Sequence, residues 1–540
     1  MKISKPMKSF ILSFLVACVS VTAFSQNQYT IIPEPQKLIP ATGVYSFKSN
    51  TAITVIAKDN DISSVAIMLS EQLKASFDIA LPVKAGPLKS NGIFFVQNDQ
   101  LGDEAYQLNI TTKNITIQSK NGKGAFYALQ SLFQLMPAQV YAAVKSNVIA
   151  TVPACQVADA PRFSYRGLML DAGRHFYSVD FIKRYIDLMA VYKLNTFHWH
   201  LTEDQGWRIE IKKYPLLTSI SSIRKESMVG AYKDMKFDKT PYGGFYTQND
   251  IKEVVAYASK KFVTIIPEIE MPGHSQALLA AYPQLGCNPD KIYEVATKWG
   301  VSEDVLCPRE ETFTFMQDVL TEVMALFPGQ YIHIGGDECP KKQWKESRFC
   351  QDLIKKLKLK DEHELQSYFI GRIDKFITSK GKKMLGWDEI LEGGLSPNAM
   401  VMSWRGTAGG IEAAKLNHDV VMSPNDFLYL DYYQADPKTQ PLAIGGNLSL
   451  SKCYSFEPDL PELTEAEAKH IVGVQANLWT EYIGTPAYAE YMTFPRALAL
   501  AEIGWSPKRP KNYTAFSNRV KKHLPVMDAL KINYCNVDLK

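Results

Sequence analysis

The sequence predicts an α/β protein: a (β/α)8 (TIM) barrel preceded by a small α+β domain. Three observations carry that prediction. From Pro161 onward an apolar strand, a polar or aromatic tip and an amphipathic stretch recur eight times over roughly 340 residues, as strand-plus-helix units of a closed barrel do. Before Pro161 the pattern is different, with short strands between turn residues and a single helical stripe. An open doubly wound sheet announces itself by a Gly-rich phosphate turn after its first strand, and this chain has none.

At the N-terminus Lys2, Lys5 and Lys8 precede an apolar run from Phe10 to Val21, and small residues follow at Ala23 and Ser25. This is the pattern of a secretory signal peptide over residues 1–25; the run is too short for a membrane span, which needs about 20 residues. The protein is expected to be exported: periplasmic, secreted, or lipid-anchored at the envelope, since Leu15 to Cys18 (LVAC) also resembles a lipobox. No later stretch is long enough for a transmembrane segment.

Residues 26–158 are the predicted α+β domain. Residues 54–57, 92–96 and 115–118 are strand-like, and residues 106–111 and 114–119 alternate as a hairpin. Residues 124–136 carry Phe126, Leu129, Leu132 and Leu135 on one helical stripe. Residues 159–510 are the predicted barrel, with strands at 167–171, 196–201, 262–268, 331–335, 383–386, 399–403, 419–422 and 471–475. Residues 179–189 and 312–326 exemplify the amphipathic stretches between them, and residues 511–540 are an extension expected to pack on the barrel.

Apolar residues at 46% and charged residues at 21% are ordinary globular usage, which excludes disordered and fibrous classes. The formal charge of +4 falls to +1 once the three signal lysines are removed, so neither nucleic acid nor an anionic membrane surface is an expected partner. None of the eight cysteines forms a C-x-x-C pair, which speaks against zinc ribbons and thioredoxin-like sites. In an oxidising compartment the expected pairings are Cys287–Cys307 and Cys339–Cys350, each closing a loop beside the strand tips.

The strand tips carry the chemistry. Arg166 and Asp171 flank the first strand, Glu203 and Asp204 follow the second, and Glu270 and His274 the third. Asp337 and Glu338 follow the fourth, Trp387, Asp388 and Glu389 the fifth, and Trp404 and Arg405 the sixth. Tyr429 and Asp431 follow the seventh, and Trp479 and Glu481 the eighth. One acidic tip is ordinarily a helix cap, but so many acidic and aromatic tips at the C-terminal mouth of one barrel mark an active site. Aromatic walls with carboxylates suit a sugar, whose C–H faces pack on indole while its hydroxyls are hydrogen-bonded. Glycoside cleavage needs a protonated carboxyl at the leaving oxygen and stabilisation of an oxocarbenium-like centre. Acidic neighbours and apolar walls raise a carboxyl's pKa for the first of these duties. In a two-carboxylate glycosidase the two groups stand about 5 Å or more apart on different strands. Asp337 and Glu338 are adjacent, which suits two neighbouring atoms of one substrate: one residue donates to the glycosidic oxygen while the other holds a group on the next carbon.

The sequence HIGGDE at 333–338 resembles the signature of glycoside hydrolase family 20, the β-N-acetylhexosaminidases. YRGLMLDAGRH at 165–175, FHWHLTEDQGWR at 197–208 and PEIEMPGH at 267–274 are similar to that family as well. So are GWDEI at 386–390, YLD at 429–431 and NLWTE at 477–481, and the resemblance spans about residues 30–510. It implies an exo-acting, retaining enzyme for terminal β-linked GlcNAc or GalNAc, in which the substrate's own 2-acetamido oxygen attacks C1 to give an oxazolinium. By this resemblance Glu338 would be the acid and then the base, Asp337 would orient the acetamido N–H, and Tyr429 would bind the acetamido oxygen. Arg166 and Glu481 would hold sugar hydroxyls with Asp431 assisting, and Trp387, Trp404 and Trp479 would wall the pocket. His274, with Asp204 and Glu270, would form a polar relay behind Glu338; whether Glu203 or Asp204 partners His274 stays open. No cofactor and no metal is implied.

Rival readings have their own residues. His198 and His200 share a strand face, as the metal pair of an amidohydrolase barrel does, but strands 5, 6 and 8 end without further histidines. A non-catalytic sugar-binding protein would be expected to lose the acid, and here Asp337-Glu338 is intact. Arg174 and His175 read equally as partners of loop carboxylates, His333 as a core histidine, and one of Asp388 and Glu389 as a helix cap.

Overall fold

The computed structural model describes residues 29–142 and 144–539; the expected signal peptide, with Cys18, lies outside them. The N-terminal unit is a seven-stranded sheet in the order Lys37–Ser46, Thr151–Asp159, Tyr106–Ile110, Asn114–Ser119, Gly92–Gln97, Ile53–Ile56, Val83–Ala85. Its hairpin forms where the alternation predicts, Tyr106 opposite Ser119 and Ile110 opposite Ile115, so Leu108, Ile115 and Ile117 reach one buried face. Helices Asn60–Phe77 and Gly122–Leu135 cover that face. The second helix is capped by the Asn121 side chain and is buried almost throughout, because it is wedged between sheet and barrel. Gln134 on it donates to the carbonyls of Ile32 and Val191.

Eight parallel strands then close a barrel in sequence order. They are β1 (Tyr165–Asp171), β2 (Thr196–His200), β3 (Thr264–Glu268), β4 (Tyr331–His333), β5 (Lys383–Trp387), β6 (Met400–Ser403), β7 (Val420–Met422) and β8 (Ile471–Leu478). Each expected strand is present. The ends that differ have local causes: β4 stops at His333 because Gly335 and Gly336 take positive φ, while β8 runs on because Asn477 and Leu478 pair with Met169 and Leu170. Parallel register sets Asp171 opposite His200, His200 opposite Glu268, and Glu268 opposite His333. Four polar residues thereby share one level inside the barrel, just below the mouth.

Buried charges join the two units. Lys193 is fully buried and lies 3.0 Å from Asp159, 3.0 Å from the Tyr106 hydroxyl and 4.5 Å from the Trp505 ring, whose indole N–H also donates to Asp159. Arg166 belongs to this interface. It donates to Glu104 at 2.9 Å, to the Tyr127 hydroxyl at 3.1 Å, and to the carbonyls of Phe163 and Lys193. The expectation that Arg166 binds sugar is therefore corrected: it is the second residue of β1, and only the C-terminal ends of the strands face the mouth. Helix Tyr513–Ala529 returns to the barrel and buries Phe516, Val520 and Met527. The expected disulfides do not form; the seven described cysteines are free, and Cys350 lies against Cys287 and Cys307 rather than Cys339. No helix among the described residues is long and apolar enough to cross a membrane.

Candidate active site

The strand ends deliver their tips to a cavity of about 410 Å³ at the barrel mouth. Trp404, Tyr429 and Trp479 wall it; Arg174, Glu203, His274, Asp337, Glu338, Asp431 and Glu481 supply its polar groups. Beyond β4 the chain turns through Gly335 (φ 68°) and Gly336 (φ 90°). A Cβ at Gly335 would fall 1.7 Å from Glu270 Oε2, so only glycine lets this turn pass over that carboxylate. Glu338 (φ 44°) and His274 (φ 46°) also adopt left-handed backbone, which costs a non-glycine residue energy and is maintained by the packing around it. The two carboxylates of the pair end up in unlike places: the Asp337 side chain is 11% exposed and that of Glu338 40%.

His274 connects them to the protein interior. Its Nε2 lies 3.5 Å from Glu338 Oε2 and 3.7 Å from Asp337 Oδ2, while its Nδ1 donates to Glu203 Oε1 at 2.8 Å. The open choice of partner thus falls to Glu203. Asp204, placed in the relay by the sequence reading, stands off at 3.6 Å and instead accepts the Gln276 backbone N–H at 2.9 Å. Glu270 is a second correction: neither oxygen has a hydrogen-bond partner among the described residues, and it faces His200 at 3.9 Å. Burial, reinforced by Asp337 and Glu268, raises its pKa well above the carboxylate range, so Glu270 is a neutral acid packed under Gly335.

A ladder of alternating charge runs inward from the mouth: Glu338, His274, Glu203, His200, Glu268. His200 Nε2 lies 3.2 Å from Glu203, and its Nδ1 donates to Glu268. Glu268 also meets His198 at 3.0 Å and His333 at 2.8 Å, and accepts the Trp387 indole N–H at 2.8 Å. Burial opposes charge on His274, but Glu203, Asp204 and Glu338 outweigh it and hold the imidazolium pKa well above 6.5. Burial likewise opposes charge on His200, and Glu268 with Glu203 lifts it to about 10. For His198 burial prevails and the pKa falls to about 4. Glu203 is buried too, yet Arg174 and His274 draw it well below the carboxylate range.

The paired carboxylates are tuned in opposite directions. Burial, aided by Glu268 and Glu338, outweighs the pull of His274 and pushes Asp337 up to about 7. Glu338, facing the His274 imidazole at 3.5 Å, is lowered. Of this pair it is therefore Asp337 that carries the proton as pH falls through neutrality.

At the opposite wall stands Arg174, whose sequence position fits a site residue and a structural partner equally. Its guanidinium lies 3.3 Å from Asp171, 3.1 Å from Glu203 and 3.5 Å from Glu481, and 5.0 Å from the Trp479 ring. The signal that distinguishes it from Arg166 is position: Arg174 lies three residues beyond the C-terminal end of β1. Asp337 Oδ1, Asp431 Oδ1, Glu481 Oε2, His274 Nε2 and Arg174 Nε are all buried without a hydrogen-bond partner among the described residues. Orphaned polar atoms are costly, and so many of them around one cavity mark the place of a polyhydroxylated ligand. Trp404 is aimed by its neighbours: its indole N–H donates to Glu389 at 2.9 Å, and Asp388 accepts the backbone N–H groups of Trp404 and Arg405. Asp388 and Glu389 thus brace the wall rather than cap a helix. Trp387 is corrected as well; it is buried beneath Trp479, with ring centroids 5.8 Å apart, and backs the wall instead of lining it. Sequence reasoning missed the rim of Tyr232, Trp299, Val301, Ile444 and Tyr482, which comes from loops without strand-tip periodicity.

Four overlapping groups here have donor atoms close enough for a metal ion, among them His198–Glu268–His333 and His274–Asp337–Glu338. The first is fully buried, and its carboxylate already serves His200 and Trp387. In the second, His274 already donates Nδ1–H to Glu203, and a metal ion would compete with its Nε2 proton.

Comparison with known proteins bears on the same residues. The model for the catalytic domain of glycosyl hydrolase family 20 matches residues 163–508, and that for domain 2 of the family matches residues 28–160. A β-hexosaminidase of Porphyromonas gingivalis is 46% identical over 509 residues, covering 93% of this chain and 64% of the relative; the chain thus spans less than two thirds of that protein's length. A β-hexosaminidase of Vibrio furnissii is 35% identical over 89% of this chain and 77% of its own. Among solved structures, the GH20 β-N-acetylhexosaminidase of Streptomyces coelicolor A3(2) superposes with a TM-score of 0.82 at 31% identity, covering 94% of this chain and 97% of its own. The GH20 exo-β-N-acetylglucosaminidase of Vibrio harveyi, in complex with N-acetylglucosamine, gives a TM-score of 0.82 at 34% identity over 94% of this chain and 78% of its own.

Proposed function

The chain belongs to glycosyl hydrolase family 20, and from that premise we propose that it is an exo-acting β-N-acetylhexosaminidase. It removes terminal β-linked GlcNAc or GalNAc by a retaining, substrate-assisted route. The observation that carries this reading is the adjacent, oppositely tuned pair Asp337 and Glu338 at an aromatic-walled cavity. The GlcNAc-bound neighbour and the names of the relatives support the substrate class.

In the first step the acetamido oxygen forms a bond to C1 as the C1–O bond to the aglycone breaks, and the proton of Glu338 passes to the leaving oxygen. Asp337, as carboxylate, accepts the acetamido N–H and offsets the positive charge that develops on the oxazolinium ring. In the second step Glu338 takes a proton from water as that water attacks C1 and the acetamido group is restored. Catalysis thus needs the proton on Glu338 and the charge on Asp337, the reverse of the empty site. Substrate supplies the exchange: the aglycone covers the 40% exposed Glu338 side chain and favours its neutral form, while the acetamido N–H favours the charged form of Asp337. His274, held cationic by Glu203, positions Glu338 through both half-reactions. Tyr429 binds the acetamido oxygen, Trp404 and Trp479 wall the sugar, and Arg174, Asp431 and Glu481 take its hydroxyls. The basic–apolar–small pattern of residues 1–25 supports action outside the cytoplasm.

The test is a panel of aryl β-glycosides of GlcNAc, GalNAc and glucose. Cleavage of the first two with retention, and loss of activity on the 2-hydroxyl analogue, is the expected result. Equal cleavage of the glucoside removes substrate assistance, and binding of GlcNAc without cleavage of any glycoside would favour a non-catalytic sugar-binding protein.

A further inference from the structure

Behind the active-site loops three thiols converge. Cys350 Sγ lies 3.9 Å from Cys287 Sγ and 3.8 Å from Cys307 Sγ, all three sulfurs fall within 4.8 Å of one another, and none is bonded to another. Separation along the chain conceals the group. Cys287 and Cys307 follow the paired residues Gly286 and Leu306 in the loop after β3, while Cys350 sits in the first turn of the helix Arg348–Leu357 after β4. Val305, Trp344, Ile354 and Leu365 enclose the sulfurs in an apolar shell; Cys307 and Cys350 are buried and Cys287 is partly exposed.

The spacing is that of ligands to one ion. A tetrahedral ion with metal–sulfur bonds of about 2.3 Å sets its sulfurs about 3.8 Å apart. Two features favour thiolates. Cys350 lies at the N-terminal end of its helix, where the dipole stabilises negative charge. The Arg309 guanidinium stands beside Cys307, Cys287 and Cys350 and offers thiolates there a counter-charge. We propose that Cys287, Cys307 and Cys350 form a structural site for a thiophilic divalent cation of the zinc(II) class, with water as fourth ligand on the open side at Cys287. Binding exchanges waters of the aqueous ion for three sulfurs and releases the thiol protons to solvent. The resulting site carries one net negative charge, which Arg309 offsets. The Leu306 N–H donates to the Pro272 carbonyl, two residues before His274, and the Trp344 indole donates to the Leu306 carbonyl. An ion here therefore clamps the His274 loop to the segment following Glu338 without touching substrate.

The full chain, reduced and stripped of metal, is titrated with cadmium(II) alone and then with zinc(II) in competition. Expected are one cadmium per chain, a thiolate-to-metal charge-transfer band, release of protons, a higher thermal midpoint, and displacement by zinc. Cys350→Ser and Cys287→Ser each lose the band, whereas Cys535→Ser keeps it; Arg309→Met weakens binding by about 10–100-fold, as loss of a supporting outer partner does. The inference is overturned if the wild type shows no band at one equivalent, or if the band survives both serine variants. It is equally overturned if alkylation and mass mapping of protein isolated without reductant finds two of the three cysteines joined as a disulfide.

Discussion

Replacing Asp337 with Asn should stabilise the protein while inactivating it, and the stability gain should follow pH. The Asp337 carboxyl rises from 3.8 to about 7, because burial and neighbouring carboxylates outweigh His274. A carboxyl whose pKa is higher in the folded chain binds its proton more tightly there. Its stabilising share is complete below the unfolded value and is lost as pH rises through the folded one. The shift is about three units at about 1.36 kcal/mol each, so complete ionisation costs about 4 kcal/mol. Asn has the same shape and never ionises. The thermal midpoint of Asp337→Asn relative to wild type should therefore climb from about pH 4 and level off above about pH 7. Paired unfolding scans at steps across this range, on the two proteins in identical buffers, isolate the one residue. Turnover of a GlcNAc glycoside should fall by about 100- to 1,000-fold, the loss typical of one electrostatic stabiliser. A difference in midpoint that does not change with pH, or one that shrinks as pH rises, refutes the raised pKa. A near-wild-type rate refutes the acetamido role.

Other consequences are equally direct. Glu338→Gln should lose far more activity on substrates with poor leaving groups than on activated aryl glycosides, since only the former need the proton; equal loss on both would remove its role as acid. Arg174→Met should raise KM and destabilise the fold by about 3–5 kcal/mol, because Asp171, Glu203 and Glu481 lose their buried counter-charge. Arg166→Met should destabilise with KM unchanged in the folded fraction, and a KM effect there would contradict its placement at the domain interface. His200→Gln removes a cation from the ladder, so both limbs of the pH–rate profile should move to higher pH; an unmoved profile would mean that the ladder ends at Glu203.

The barrel was legible because its signal is local and repeated. Eight apolar runs, each closing on a polar or aromatic tip, survive shifts at their ends, and Asp337, Glu338, His274, Tyr429, Asp431, Trp404, Trp479 and Glu481 all reach the cavity or its edge as their tip positions imply. The errors share one cause. Arg166 and Arg174 lie in the same short run of sequence, and only the direction of β1 tells which faces the mouth. Glu203 and Asp204 are adjacent, and only the turn beyond β2 decides which carboxylate meets His274.

By itself, the amino-acid sequence determined the elements, their order and the inventory of chemistry at the strand ends, since hydrophobic period and residue type are properties of neighbours along the chain. Tertiary structure decided everything that depends on distance through space. Strand register put His200 and His333 beside Glu268, burial reversed the protonation order of Asp337 and Glu338, and two loops brought Cys287, Cys307 and Cys350 together. The physical reason is that charge and coordination act over a few ångströms regardless of how many residues lie between the partners.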